Sequence, residues 1–184
     1  MSMVTAELRP HPTSPCEAVT RIVIEIDEEA FPRALRLRFR VDGDINRIRL
    51  PATSFARRGD GLWQHTCFEA FLRTDASQSY HEFNFAPSGD WAAYRFGSRR
   101  GERSLPPLPA PAIEFGASPG HCDLNAEFAI AALPELAVAP GLHAGAGAVI
   151  ETIDGSLSYW ALAHGGERPD FHDPASFSLR IVPA

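Results

Sequence analysis

Alternation is the property of this sequence that leaves it the fewest options. Apolar residues recur at every second position in short runs, and each run stops at a turn signal. Ile22, Ile24 and Ile26 alternate with Arg21, Val23 and Glu25. Leu35, Leu37, Phe39 and Val41 alternate with Arg36, Arg38 and Arg40. Asp42-Gly43 follows, then Ile48 and Leu50 alternate with Arg47 and Arg49, a pattern that predicts a hairpin. Residues 61–96 predict three strands, broken near Thr74-Asp75 and at Pro87-Ser88-Gly89-Asp90. Residues 123–130 alternate again, residues 142–153 lead to a second Asp-Gly turn, and return strands follow at 157–164 and 177–182. Pro106, Pro107, Pro109 and Pro111 exclude helix and central strand between these runs. About nine or ten short strands with no βαβ repeat predict an all-β chain, a two-sheet antiparallel β-sandwich. The proline-rich residues 1–19 are expected to be a loose arm, and residues 20–184 a single domain.

Charge narrows the partners. The 184 residues carry a net charge of −6, a poor match to nucleic-acid phosphate. All 17 basic residues are arginine, read as a base-composition bias. Three widely spaced cysteines, Cys16, Cys67 and Cys122, form no disulfide framework. Neither a leader nor a membrane span is visible, so a cytoplasmic location with no membrane partner is expected.

The chemistry concentrates in residues 61–96. Strand alternation puts Trp63, His65, Cys67, Glu69 and Phe71 on one face, and Tyr80, Glu82 and Asn84 on the matching face of the next strand. If Phe68, Ala70, Leu72, Phe83 and Phe85 line the core, the aromatic and polar set shares the outer face. Such a patch suits a sugar, whose C–H face stacks on indole and whose hydroxyls want carboxylate and amide partners. Packing is the plainer use of Trp63, Trp91 and Trp160. Carboxylates, in contrast, are seldom buried without a partner.

Other uses of the same atoms stay open. Glu69, Glu82, Asn84 and Asp90 are oxygen ligands of the kind Ca²⁺ takes, without EF-hand spacing. His65 and Cys67, with His81, His164 or His172, offer a zinc alternative. A metal-dependent or carboxylate-based hydrolase using His65, Glu69 and Glu82, with His164 or His172, is the alternative function. No catalytic set is identified. Gly116-Ala117-Ser118-Pro119-Gly120 matches G-x-S-x-G in letters only, because Pro119 lacks the N–H that an oxyanion hole needs. Gly145-Ala146-Gly147 lacks the third glycine of a dinucleotide fingerprint. Arg36, Arg38 and Arg40, with Arg47 and Arg49 across the expected hairpin, form a ladder that Glu25 and Asp27, or an anion, must neutralise.

The blocks GLWQHTCFEAFL, YHEFNFAPSGDWAAYRF and SYWALAHGGERPDFHDP resemble bacterial DOMON-like proteins, relatives of the family 9 carbohydrate-binding modules. The resemblance spans residues 22–181. It implies a jelly-roll-type sandwich, commonly without catalysis, that clamps a sugar between two tryptophans. The residues it implies are Trp91 and Trp160, or Trp63, with Glu69, Glu82, Asn84 and Arg95; His65 and His164 stand nearby in the same blocks. A sugar or nucleotide-sugar-like small molecule is the expected ligand. Haem-binding relatives use a methionine and a histidine, and the methionines here are Met1 and Met3, in the expected arm, so haem is not expected.

Overall fold

The computed structural model describes residues 3–182. Met1 therefore lies outside the described residues. Twelve strands form among the described residues, and almost nothing is helical. They are β1 (Met3–Pro10), β2 (Val19–Asp27), β3 (Leu35–Gly43), β4 (Cys67–Thr74), β5 (Tyr80–Phe85) and β6 (Trp91–Phe96). After them come β7 (Arg103–Ser104), β8 (Ala112–Ser118), β9 (His121–Phe128), β10 (Leu142–Glu151), β11 (Leu157–Ala161) and β12 (Leu179–Ile181). Among the described residues no helix is long and apolar enough to cross a membrane.

Strand pairing runs in one path, β7-β6-β5-β4-β10-β11-β1-β2-β3-β9-β8, with β12 attached to β10. All these strand pairs are antiparallel. The path curls so that its two halves share one core, to which Ile24, Phe39 and Leu124 contribute from one half and Phe68, Phe83 and Ala148 from the other. Phe39 meets Phe68 with ring centroids 5.1 Å apart, and Phe83 stacks on Phe128 at 4.4 Å. This shared apolar layer is what a period of two in both halves dictates.

Two expectations are corrected. Residues 3–10 are not a loose arm: β1 pairs β2 from Met3 to Leu8 and β11 at Arg9 and Pro10, and so joins the two halves of the path. Asp42-Gly43 does not turn a hairpin. Gly43 N–H donates to Gly120 O and Asp44 N–H to Ala18 O, so the chain passes on without reversing. Arg47 and Arg49 thus leave the ladder, and Arg49 pairs Glu151 at 3.0 Å. The remaining rungs are neutralised by their sheet neighbours: Arg36 by Asp27 and Glu127, Arg38 by Glu25 and Asp123, Arg40 by Asp42. The second Asp-Gly turn does close a hairpin, with Glu151 opposite Leu157 and Gly155 at φ 85°.

The outer face of β4, β5, β6 and β10 is buried as well. A second apolar cluster covers it, in which Phe71, Tyr80, Tyr94, Phe96 and Val149 meet Phe171 and Phe177 from the segment after β11. Gly147 permits this cover, since a Cβ there would stand 2.8 Å from the Phe171 ring. Phe68→Ala is expected to remove about 3–5 kcal/mol, because the ring is fully enclosed between the two halves. A urea titration with an unchanged midpoint would contradict that placement.

Candidate functional site

Between the outer face and its cover lies a cleft of about 330 Å³. Glu69 on β4 and Glu82 on β5 form its floor, and Trp63, Tyr159 and Phe171 contribute to its walls. The pairing explains the grouping. Glu69 is opposite Asn84, and Phe71 is opposite Glu82, so the two carboxyls are diagonal neighbours on one face. Each glutamate is only 4% exposed.

Glu82 is held from behind. Asn84 Nδ2–H donates to Glu82 Oε1 at 2.6 Å, and the Cys67 thiol donates to Asn84 Oδ1 at 3.5 Å. Asn84 is thereby occupied and fully buried, so it orients Glu82 and does not itself line the cleft. His172 Nε2 stands 3.6 Å from Glu82 Oε2. The tautomer follows from the network. Arg100 N–H donates to the Tyr80 oxygen, and the Tyr80 hydroxyl then donates to His172 Nδ1 at 2.7 Å, leaving the ring proton on Nε2. Burial, with help from Arg100, pulls the His172 pKa down to about 4, so the ring is neutral at neutral pH.

Glu69 differs from Glu82: among the described residues no group donates a hydrogen bond to its carboxyl. Burial, and then the neighbouring Glu82, push its pKa well above the ordinary carboxyl value. Burial raises Glu82 too, with the Asn84 bond opposing. Two carboxyls close together in a poorly solvated cleft hold on to protons for both reasons.

The rim is a set of closed ion pairs. Arg100 binds Asp170 at 2.8 Å, Arg99 reaches Asp170 and Asp173, and Arg103 lies 3.3 Å from Asp60 and over the Tyr94 ring at 4.6 Å. The Tyr94 hydroxyl donates to Asp60.

The structure brings Trp63, Glu69 and Glu82 into the cleft, with Asn84 beneath. Trp63 arrives on a 3-10 turn (Leu62–Gln64), not on a strand. The other expected residues lie elsewhere. Trp91 and Trp160 face inward and pack in the shared core, where they cannot clamp a ligand. Trp160 donates to Ser158 Oγ at 3.0 Å, and Arg58 covers Trp91. Arg95 follows the parity of Trp91 and pairs Glu135 at 3.3 Å. His65 has 67% of its side chain exposed and binds Glu151. His164 binds the Arg9 carbonyl at 2.8 Å. Asp90 is tied into the β5–β6 turn by Ser54, Ser88 and the Arg57 N–H. Among the described residues no group of three or more His, Cys, Asp or Glu side chains is arranged to hold a metal ion. Sequence reasoning missed Tyr94, Phe96, Arg100, Arg103, Tyr159 and Phe171 as cleft residues.

No protein-family model matches the sequence, and no curated protein matches it. Solved structures do. A protein from Bacteroides uniformis with a provisional carbohydrate-binding assignment aligns over 99% of this chain and 87% of its own, with a TM-score of 0.66 and 15% identity. A family 9 carbohydrate-binding module from Caldicellulosiruptor kristjanssonii, solved with glucose, aligns over 97% of this chain and 84% of its own, with a TM-score of 0.51 and 13% identity.

The raised carboxyl pKa has a consequence for stability. The unfolded Glu69 releases its proton near 4.5, and the folded one releases it at higher pH. The fold therefore loses stability as pH rises through that window, by up to about 1.4 kcal/mol per pH unit. Gln matches the protonated form and carries no such cost. Glu69→Gln should melt like the wild type near pH 4 and higher than it at pH 7.5, by roughly 2–4 °C for each kcal/mol recovered. Parallel melting curves at both pH values would contradict the assigned environment. What these comparisons support is a shared all-β fold with carbohydrate-binding structural neighbours.

Proposed function

We propose that this chain binds a carbohydrate without transforming it, in the cleft over Glu69 and Glu82. The scaffold is read as a two-sheet sandwich of the family 9 and DOMON-like kind. One observation carries the proposal: two buried carboxyls on a rigid sheet face open into a cavity walled by aromatic rings. A pyranose asks for that combination, with ring carbons against Trp63, Tyr159 or Phe171 and hydroxyls on the carboxyls. The volume suits one or two sugar units. The carbohydrate-binding neighbours support the reading through their fold. Of the hydrolase alternative the cleft contains Glu69, Glu82 and His172, while His65 and His164 lie outside it, and the structural neighbours favour binding. A nucleotide sugar fits less well than a free sugar, because the rim arginines are already bound to Asp60, Asp170 and Asp173.

Trp63 is the tryptophan of the cleft, so its fluorescence should report the ligand. Calorimetric and fluorescence titrations with mono- and disaccharides and UDP-sugars are expected to show saturable binding of free sugars. Trp63→Ala should weaken that binding about tenfold or more. Folded protein that responds to nothing in the panel would end this reading.

A further inference from the structure

We propose that the cleft selects sugars bearing a free amine, with the ammonium seated on the carboxyls of Glu69 and Glu82. This deepens, and rests on, the sugar-binding reading above.

The arginines around the cleft already have partners. Arg99 and Arg100 are bound to Asp170, Arg99 also reaches Asp173, and Arg103 is bound to Asp60. His172 presents a neutral ring to Glu82. Glu82 receives one hydrogen bond, from the uncharged Asn84 amide. Glu69 receives none among the described residues, although it is almost fully buried and lines the cavity. Glu82 and Arg100 act on the Glu69 charge, and Arg103 and Arg100 act on that of Glu82. Both arginines line the cleft, but Arg100 already has two bonds to Asp170 and Arg103 is bound to Asp60. Among the described residues no cation is bonded to either floor carboxyl, and the two arginines of the lining are held by aspartates.

An ammonium supplies what is missing. It has three N–H donors and one positive charge, enough to engage both carboxyls at once. Burial makes such a charge-assisted contact stronger than it would be in water. The walls agree with the floor, since aromatic faces attract cations. Tyr94 already carries the Arg103 guanidinium over its ring. A neutral hydroxyl in the same place brings no charge, so the pair goes on holding protons and no charge-assisted bond forms. An N-acetyl group would bring bulk and no charge.

Calorimetry with D-glucosamine, D-glucose, N-acetyl-D-glucosamine and ethylamine tests the idea, at about pH 6.5 so that the amines are charged. Glucosamine is expected to bind at least about tenfold more tightly than each of the other three. In Glu69→Gln, and separately in Glu82→Gln, the ratio of glucosamine to glucose affinity should fall to within about twofold. Glucose or N-acetylglucosamine binding as tightly as glucosamine would overturn the amine proposal and leave sugar binding standing. Ethylamine binding as tightly would overturn it as well, by making the sugar ring irrelevant. A preference that survives both glutamine variants would remove the carboxyls as its source. If none of the four binds to folded protein, the sugar reading falls and this proposal falls with it.

Discussion

The constraint on which the rest depends is that β4, β5, β6 and β10 are buried on both faces. An antiparallel sheet ordinarily keeps one face in water. Here the segment carrying Phe171 and Phe177, with the turn carrying Trp63, lies over the outer face. That cover turns a solvated pleat into a cleft. It also places Glu69 and Glu82 where a charge is poorly solvated, so the acidity of the floor is a product of the cover as much as of the sheet. Gly147 belongs to the same arrangement, because the Phe171 ring occupies the space a Cβ would need.

The two apolar layers do different work. The inner one, with Phe39, Phe68, Phe83 and Phe128, joins the two halves of the path and holds most of the large buried side chains. It makes the sheet rigid. The outer one is smaller and is broken by carboxyls, amide and thiol. A sheet fixed from behind can hold polar groups in place with few bonds of their own. Glu82 shows this: Asn84 and Cys67, its neighbours on the same face, orient it through a short relay. Among the described residues nothing donates to the Glu69 carboxyl, which stability alone would not favour.

Much of this was legible in the sequence. Alternation identified which faces of β4 and β5 are apolar, and so grouped Glu69, Glu82 and Asn84 correctly on the outer side. The same logic, carried one strand further, excludes Trp91 and Arg95. A turn at Pro87-Ser88-Gly89-Asp90 sets Trp91 opposite Phe85, hence inward, and Tyr94 opposite Glu82, hence into the cleft. The hairpin at Asp154-Gly155 sends Trp160 inward and Tyr159 outward by the same parity. Trp63 was grouped with the right partners for the wrong reason, since it reaches the cleft from a turn ahead of β4. Phe171, Arg100 and Arg103 were not legible. They lie outside the long alternating runs, and their position depends on chain segments folding over a sheet assembled from strands far apart in sequence. The false hairpin at Asp42-Gly43 shows a related limit. A turn dipeptide states what the backbone can do, while the carbonyls of Gly120 and Ala18 decide what it does.

That division bears on function. A scaffold of this kind can be shared at 13–15% identity, so the likeness to carbohydrate-binding neighbours speaks for the sheet more than for the cleft. What distinguishes this cleft is charge accounting on its own walls. Arg100 and Arg103 are matched by Asp170 and Asp60, as is their neighbour Arg99 by Asp170 and Asp173, and among the described residues no cation is bonded to either floor carboxyl. Moving one of those arginines onto Glu69 would make a stabler empty protein, since a paired buried carboxyl costs less than an unpaired one. The fold accepts the costlier arrangement on the floor of a cleft that its own loops build.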